Sequence, residues 1–313
     1  MSLQPVVETI DLAKAYNGKM VVDKLNLQIS AGEIFGFLGP NGAGKTTTIL
    51  MLLGLTEPTS GVARIAGYNS TREPLKVKSL SGYIPEKVGF YEDLTAGYNL
   101  AYTARLNGIS EKIIKERVTQ ALEIVGLPNA HDRKVLEFSR GMKQRLAIAD
   151  ILVKLPKVAF LDEPTLGIDP EGINQVLDLI ARIAKEQNMT IVMSSHQLQQ
   201  VQQICSRVGI IVNGKMLVEG KIDQLSKDAF GGKFTVEVQI ANATSGIIDS
   251  IKKLKGVEAV EKSDDLLLVS CSKDLRPQIA KAIIDADGSL IQMKIQSHAL
   301  EDIYLKYFHD VES

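Results

Sequence analysis

The sequence predicts an α/β chain in two parts. Residues 1–225 read as an α/β domain with an antiparallel β subdomain at its start and a helical subdomain inserted over about 87–155; residues 226–313 read as a smaller α+β domain. Three observations predict this. Short apolar runs such as Val158-Ala159-Phe160-Leu161 have the continuous character of strands buried on both faces. Residues 94–125 instead repeat at helical spacing, with Ile113, Ile114, Val118, Ala121, Leu122 and Val125 on one face. After Leu225 the composition shifts, and strands and helices follow in the order βαββαβ.

In chain order, residues 6–28 alternate and turn about Asn17-Gly18 like a small antiparallel sheet. Tyr16 stands just before that turn, either as an edge aromatic or as a face on which a base stacks. The run Ile34-Phe35-Gly36-Phe37-Leu38 leads into Gly39-Pro40-Asn41-Gly42-Ala43-Gly44-Lys45-Thr46-Thr47 and then an apolar helix. Strand, glycine loop and helix in the spacing G-x-x-x-x-G-K-T form the P-loop pattern. Its backbone N–H groups and helix N-terminus suit phosphate oxygens. Lys45 is placed to reach the β- and γ-phosphates, and Thr46 to offer a hydroxyl to Mg²⁺.

Short strands are expected over 62–67 and 78–84, the second stopping at Pro85-Glu86. Ser139 is a good N-cap for a helix through Met142, Leu146, Ala149 and Leu152. That helix start, with Gly141 in it, is read either as a plain cap or as an anion site. Asp162 and Glu163 close the strand over 158–161, and paired carboxylates at a buried strand end are costly unless they serve a ligand. Asp162 suits Mg²⁺, directly or through water, and Glu163 suits a general base or a water-orienting group. A helix over 173–186 and a strand over 190–193 follow, the strand ending at Ser194-Ser195-His196. The strands ending at Leu38, Ile84, Leu161 and Ser195 should open on one edge of one sheet, which points to a single nucleotide site. A hairpin turns about Asn213-Gly214.

Phe230-Gly231-Gly232 reads as a linker. Beyond it come a strictly alternating strand over 234–240, a helix with Ile247 and Ile251, and strands over 257–261 and 266–269 about a turn at 263–265. A helix with Ile279 and Ile283, a strand over 289–295 and a closing helix over 300–308 complete a ferredoxin-like order.

Bulk properties narrow the function classes. The 313 residues carry a formal net charge of −1, so no global basic field suggests nucleic acid. The 45% apolar and 23% charged fractions are ordinary for a soluble chain. The two cysteines have no metal-like spacing and fit a reducing compartment. Neither a signal peptide nor a membrane span is expected.

Taken together, Tyr16, residues 39–47 (Walker A), Glu86 (Q-loop), residues 139–145 (signature), residues 158–163 (Walker B), residues 167–170 (D-loop) and His196 (switch histidine) resemble the ATP-binding cassette (ABC) ATPases over about residues 4–225. The resemblance implies ATP and Mg²⁺ as cofactors and two cassettes paired head to tail. Each ATP would lie between one copy's Walker A and the other's signature, where Ser139 and the Gly141 backbone reach the γ-phosphate. It also implies metal-site roles for Thr46, Glu86 and Asp162 and catalytic roles for Glu163, His196 and Lys45, with Asp169 linking the two sites.

Two departures stand out. The signature is Phe138-Ser139-Arg140-Gly141-Met142, with Arg140 where the family pattern has glycine, and Glu86 replaces the usual glutamine. One cassette, no membrane span and the C-terminal appendage resemble the separate ATPase subunit of ABC-2 or drug exporters. The ending over 297–305 looks like the close of those subunits. That implies a homodimer at the cytoplasmic face of the membrane, acting on a separate transmembrane permease and on no nucleic acid. A groove for the permease is expected near residues 86–93, where Val88, Phe90 and Tyr91 either form an exposed apolar face or simply pack against the helical insertion. The alternative is a soluble ABC ATPase or nucleotide switch with a non-membrane partner. The C-terminal domain is expected to aid dimerisation or stability.

Overall fold

The computed structural model describes residues 5–229, 234–241, 244–263, 266–296 and 300–312. It divides into two compact units, Met1–Lys221 and Ile222–Ser313. The expected linker over 230–232, the turn at 264–265 and residues 297–299 lie outside the described residues.

The first unit opens with β1 (Val7–Tyr16) and β2 (Lys19–Ile29), a hairpin about Asn17 and Gly18, whose φ of 49° and 79° suit a tight two-residue turn. The strands are longer than the alternation suggests. Register shifts fall beside Leu12 and Lys14, and Asp11 and Lys24 take positive φ, so the period-2 pattern slips three times along one strand pair. β3 (Ile34–Leu38) and α1 (Lys45–Leu52) flank the glycine loop. β4 (Ser60–Ile65) ends earlier than expected, because Ala66 and Gly67 turn the chain into β5 (Tyr68–Asn69). The four strands form one sheet in the order β2-β1-β4-β5.

The expected strand over 78–84 is half wrong. α2 (Pro74–Leu80) occupies its first half, with Pro74 in the first turn and only Val77 buried. β6 (Ser81–Ile84) supplies the rest. The helical subdomain holds α3 (Ala96–Leu106), α4 (Glu111–Ile124) and α5 (Arg140–Lys154). Thr95 caps α3, and Ser139 caps α5 by accepting from Met142 N–H at 3.2 Å.

β7 (Val158–Asp162) is buried throughout. α6 (Pro170–Glu186) is capped by Asp169 and buries Val176, Leu177, Ile180 and Ile183 on one face. β8 (Thr190–Ser195), α7 (Leu198–Ile204), β9 (Arg207–Val212) and β10 (Lys215–Lys221) complete the unit. The central sheet runs β10-β9-β3-β8-β7-β6. All neighbouring strands from β9 to β6 are parallel, and only β10 pairs antiparallel. The C-terminal ends of β3, β8, β7 and β6 therefore open on one edge, as the sequence predicts. The fully buried Phe35, Phe37 and Phe160 belong to the core beneath it.

The second unit comprises α8 (Ile222–Ala229), β11 (Phe234–Ala241), α9 (Ser245–Lys252), β12 (Val257–Ser263), β13 (Leu266–Cys271), α10 (Arg276–Asp285), β14 (Ser289–Gln296) and α11 (Leu300–Glu312). Its antiparallel sheet runs β12-β13-β11-β14. Val236, Val238, Ile251, Val269, Ile279 and Ile283 form its own core. Both cysteines, Cys205 and Cys271, are buried and unpaired. Among the described residues no helix is long and apolar enough to cross a membrane.

Candidate functional site

The open edge of the central sheet carries a cavity of about 320 Å³. Residues 41–47 form one wall, and Glu86, Asp162, Glu163, Leu166 and His196 form the other, with Val21 reaching in from β2.

The glycine loop packs against β2 and the turn at Gly214. Gly44 has φ 106°, and a Cβ there would stand 2.6 Å from the Val21 carbonyl oxygen, so the loop's close approach to β2 requires glycine. Beside Val21, the Gly214 N–H donates to the Ala43 carbonyl at 3.0 Å. The buried Lys45 folds back on its own loop, with Nζ donating to the Gly39 and Pro40 carbonyls at 2.7 and 3.1 Å. Burial pulls its pKa below the ordinary lysine value, while the nearby charges of Glu163 and Asp162 act in the opposite direction. An ammonium resting on neutral carbonyls exchanges them readily for phosphate oxygens, which bind it more strongly.

Asp162 is buried at the end of β7. Its two oxygens are both used: Oδ2 accepts from the Thr46 hydroxyl at 2.7 Å, and Oδ1 accepts from the Ser194 hydroxyl. The next residue, Glu163, sits at φ 50°, a backbone strain of about 1–3 kcal/mol of the kind that gathers at functional sites. His196 Nδ1 lies 2.8 Å from Glu163 Oε1, and the Ser195 hydroxyl donates to Oε2 at 3.4 Å. The Ser195 oxygen in turn accepts from the Gln197 N–H at 2.9 Å. β7 and β8 are adjacent, with Asp162 opposite Ser194, so the two strand ends bring carboxylates and serines together. Tyr83, on β6, has its phenol pushed up to about 12 by burial first and then by the charges of Asp162 and Glu86.

The cavity thus gathers Asn41, Gly42, Ala43, Gly44, Lys45, Thr46, Thr47, Glu86, Asp162, Glu163 and His196. Gly39 and Pro40 act through their carbonyls on Lys45. Tyr16, Ser139 and Gly141 do not line the cavity. Tyr16 is half exposed beside the hairpin turn, with Lys14 Nζ 4.8 Å from its ring centre. Ser139 and Gly141 stand at the start of α5, where the Arg140 guanidinium reaches the Gly167 carbonyl at 3.3 Å. Sequence reasoning passed over Ser194 and Ser195. Their position at the end of a buried strand, directly before His196, was the available signal.

Several features fit a nucleotide and a divalent cation. Thr46 and Asp162 present a hydroxyl and a carboxylate in contact, the hard oxygen pair that Mg²⁺ takes together with phosphate oxygens and water. Among the described residues no group of three or more His, Cys, Asp or Glu forms a self-sufficient metal site. A cation here would therefore share its ligands with the nucleotide.

Comparison with known proteins gives concordant results. The family model described as ABC transporter matches residues 22–166. The bacitracin transport ATP-binding protein BcrA of Bacillus licheniformis is 37% identical over 304 residues, covering 97% of each chain. The linearmycin resistance ATP-binding protein LnrL of Bacillus subtilis (strain 168) is 32% identical over 305 residues, covering 96% of this chain and 97% of that one. Among solved structures, an ATP-binding subunit of an ABC transporter superposes with a TM-score of 0.64 at 31% identity, over 72% of this chain and 93% of the other.

Proposed function

The chain belongs to the ABC transporter family of ATP-binding proteins, and from that premise we propose that it is the ATPase motor of an exporter, working as a head-to-tail homodimer on a separate membrane permease. The observation that carries this reading is the cavity at the parallel strand ends, where Lys45, Thr46, Glu86, Asp162, Glu163 and His196 meet. Its relatives BcrA and LnrL, named for bacitracin transport and linearmycin resistance, support the export assignment.

The residues divide the work as follows. The loop over 41–47 receives the phosphates on its N–H groups and the start of α1. Lys45 leaves the Gly39 and Pro40 carbonyls for the β- and γ-phosphate oxygens. Thr46 and Asp162, with Glu86 nearby, would hold Mg²⁺, which when bound neutralises phosphate charge. Glu163 takes the proton of the attacking water, oriented by Ser195 and His196. His196 holds Glu163 through Nδ1, 2.8 Å from Oε1, and leaves Nε2 for the γ-phosphate.

In the dimer, Ser139 and the Gly141 backbone of one copy close over the ATP of the other, and Tyr16 stacks on its base. ATP favours the closed pair and hydrolysis releases it, which is the differential affinity a motor needs. Exposed Tyr91, Tyr98 and Leu106 on and beside α3, with Tyr91 packed edge-on against Tyr102 at 5.5 Å, support a permease contact near residues 86–93. Such a motor sits at the cytoplasmic face of the membrane. The C-terminal unit, with its own core, serves dimerisation or stability.

Phosphate release by wild type and Glu163→Gln, with size-exclusion chromatography in ATP, tests the reading. Wild type should turn over, and the variant should be inert yet form an ATP-dependent dimer. Equal turnover by both would remove Glu163 from the mechanism, and a variant that stays monomeric in ATP would remove the dimer.

A further inference from the structure

The nucleotide cavity is short of positive charge. Lys45 is the only Lys or Arg on its lining among the described residues, set against the carboxylates of Glu86, Asp162 and Glu163. A bound triphosphate adds several negative charges, and one divalent cation offsets only part of them. Glu86 deepens the deficit, as a third carboxylate on the lining beside Asp162 and Glu163.

Arg140 is a cation with no carboxylate partner among the described residues. It is exposed and opens the 15-residue helix α5 directly after Ser139. Its one hydrogen bond among those residues runs from Nη1 to the Gly167 carbonyl at 3.3 Å, a long contact to a neutral acceptor. The rest of the guanidinium fork remains free to donate. The contact depends on Gly167, which takes φ 73° and where a Cβ would stand 2.5 Å from Nη1. Gly167 belongs to the loop that follows Glu163: the Leu166 N–H donates to the Glu163 carbonyl at 3.1 Å, and Leu166 lines the cavity. The free chain thus rests this guanidinium beside the loop leaving the ATP site, on a bond that a phosphate oxygen outcompetes.

Resting on the head-to-tail dimer of the proposed function, we propose that Arg140 supplies, across the interface, the second cation that the other copy's ATP site lacks. On closure it exchanges its own Gly167 carbonyl for the γ-phosphate of the ATP facing α5. Glu86 and Arg140 are then a compensating pair of opposite sign. The partner is a second copy of this chain, and the ligand group is a nucleoside triphosphate.

The test uses the full chain in the Glu163→Gln background, reading dimer fraction against ATP concentration by analytical ultracentrifugation. Arg140→Gly should raise the ATP concentration needed for dimerisation roughly tenfold or more, the scale of one hydrogen bond to a charged group. Arg140→Lys, which keeps the charge, should fall between. Binding of a fluorescent ATP analogue to the monomer should be unchanged in both, since Arg140 does not line its own chain's cavity. In a Glu86→Gln background the loss from Arg140→Gly should shrink. Unchanged or easier dimerisation of Arg140→Gly would overturn the proposal and leave the dimer standing, and so would an undiminished loss beside Glu86→Gln. If Glu163→Gln alone stays monomeric in ATP, the dimer fails and the proposal falls with it.

Discussion

The Thr46 hydroxyl donates to Asp162 Oδ2 at 2.7 Å across 116 residues of sequence. This bond joins the start of α1 to the end of β7, and it places a hydroxyl and a carboxylate where one small cation could bridge them. Asp162→Asn should therefore abolish the extra thermal stabilisation that Mg²⁺ adds to ATP alone, and lower ATPase activity roughly 100-fold or more. A thermal-shift series with ATP, with and without Mg²⁺ or EDTA, checks it. An Mg²⁺ increment equal to wild type would take Asp162 out of the metal site.

His196 holds Glu163 from a largely open position, its side chain 41% exposed. Its removal should cost catalysis and not folding. We expect His196→Ala to lower kcat about 100-fold, within the usual span for a positioned acid–base group. Its Tm should stay within about 1 °C of wild type, as for an ordinary surface change. A parallel loss of Tm would mark the residue as structural.

Asp150 gives a pH dependence with a definite sign. Burial raises its carboxyl to about 6, against the opposing effects of a Thr103 hydrogen bond and the Lys154 charge. Its Oδ1 is buried without a partner. As pH rises the unfolded chain releases this proton first, near the ordinary value of 3.8, so stability falls between about pH 4 and pH 6 and stays lower above. The ceiling on that loss is roughly 3 kcal/mol. Asp150→Asn should be more stable than wild type at pH 8, with the gap much narrower at pH 4.5 and closing below the ordinary value of 3.8. Urea melts at the two pH values decide it, and a gap independent of pH would refute the assignment.

The two units have separate cores, which makes the second one removable in principle. A chain ending at Lys221 should keep ATP binding, since every residue lining the cavity lies before that point. In the Glu163→Gln background it should need more ATP to dimerise than the full chain does. Equal dimerisation would deny the C-terminal unit its proposed role.

Most of the candidate site's lining was legible because it comes in contiguous runs of residues. The glycine loop, the carboxylates closing β7 and the histidine closing β8 each sit at a strand end that the apolar runs announce. Where reading by pattern failed, burial did not follow polarity. α7 buries Gln200, whose side-chain oxygen accepts from the Thr165 hydroxyl, so a polar residue occupies the inward face and masks the helical period. α2 buries one side chain, too few to reveal a period, and Lys78-Ser79-Leu80-Ser81 imitates strand alternation. The bulges at Asp11 and Lys24 break the alternation of β1 and β2 from within. Ser194 and Ser195 were overlooked because hydroxyls acquire a role only once β7 and β8 lie side by side.

Both native thiols are inaccessible, Cys205 and Cys271 being buried with their pKa values pushed upward chiefly by burial. Thiolate is the species that alkylating dyes attack, so neither should react in the folded chain. A single cysteine introduced on the surface would then be the one site a maleimide reaches, with no need to strip the natural ones first. Opening and closing of the proposed cassette pair could be followed by fluorescence in a protein whose core is untouched.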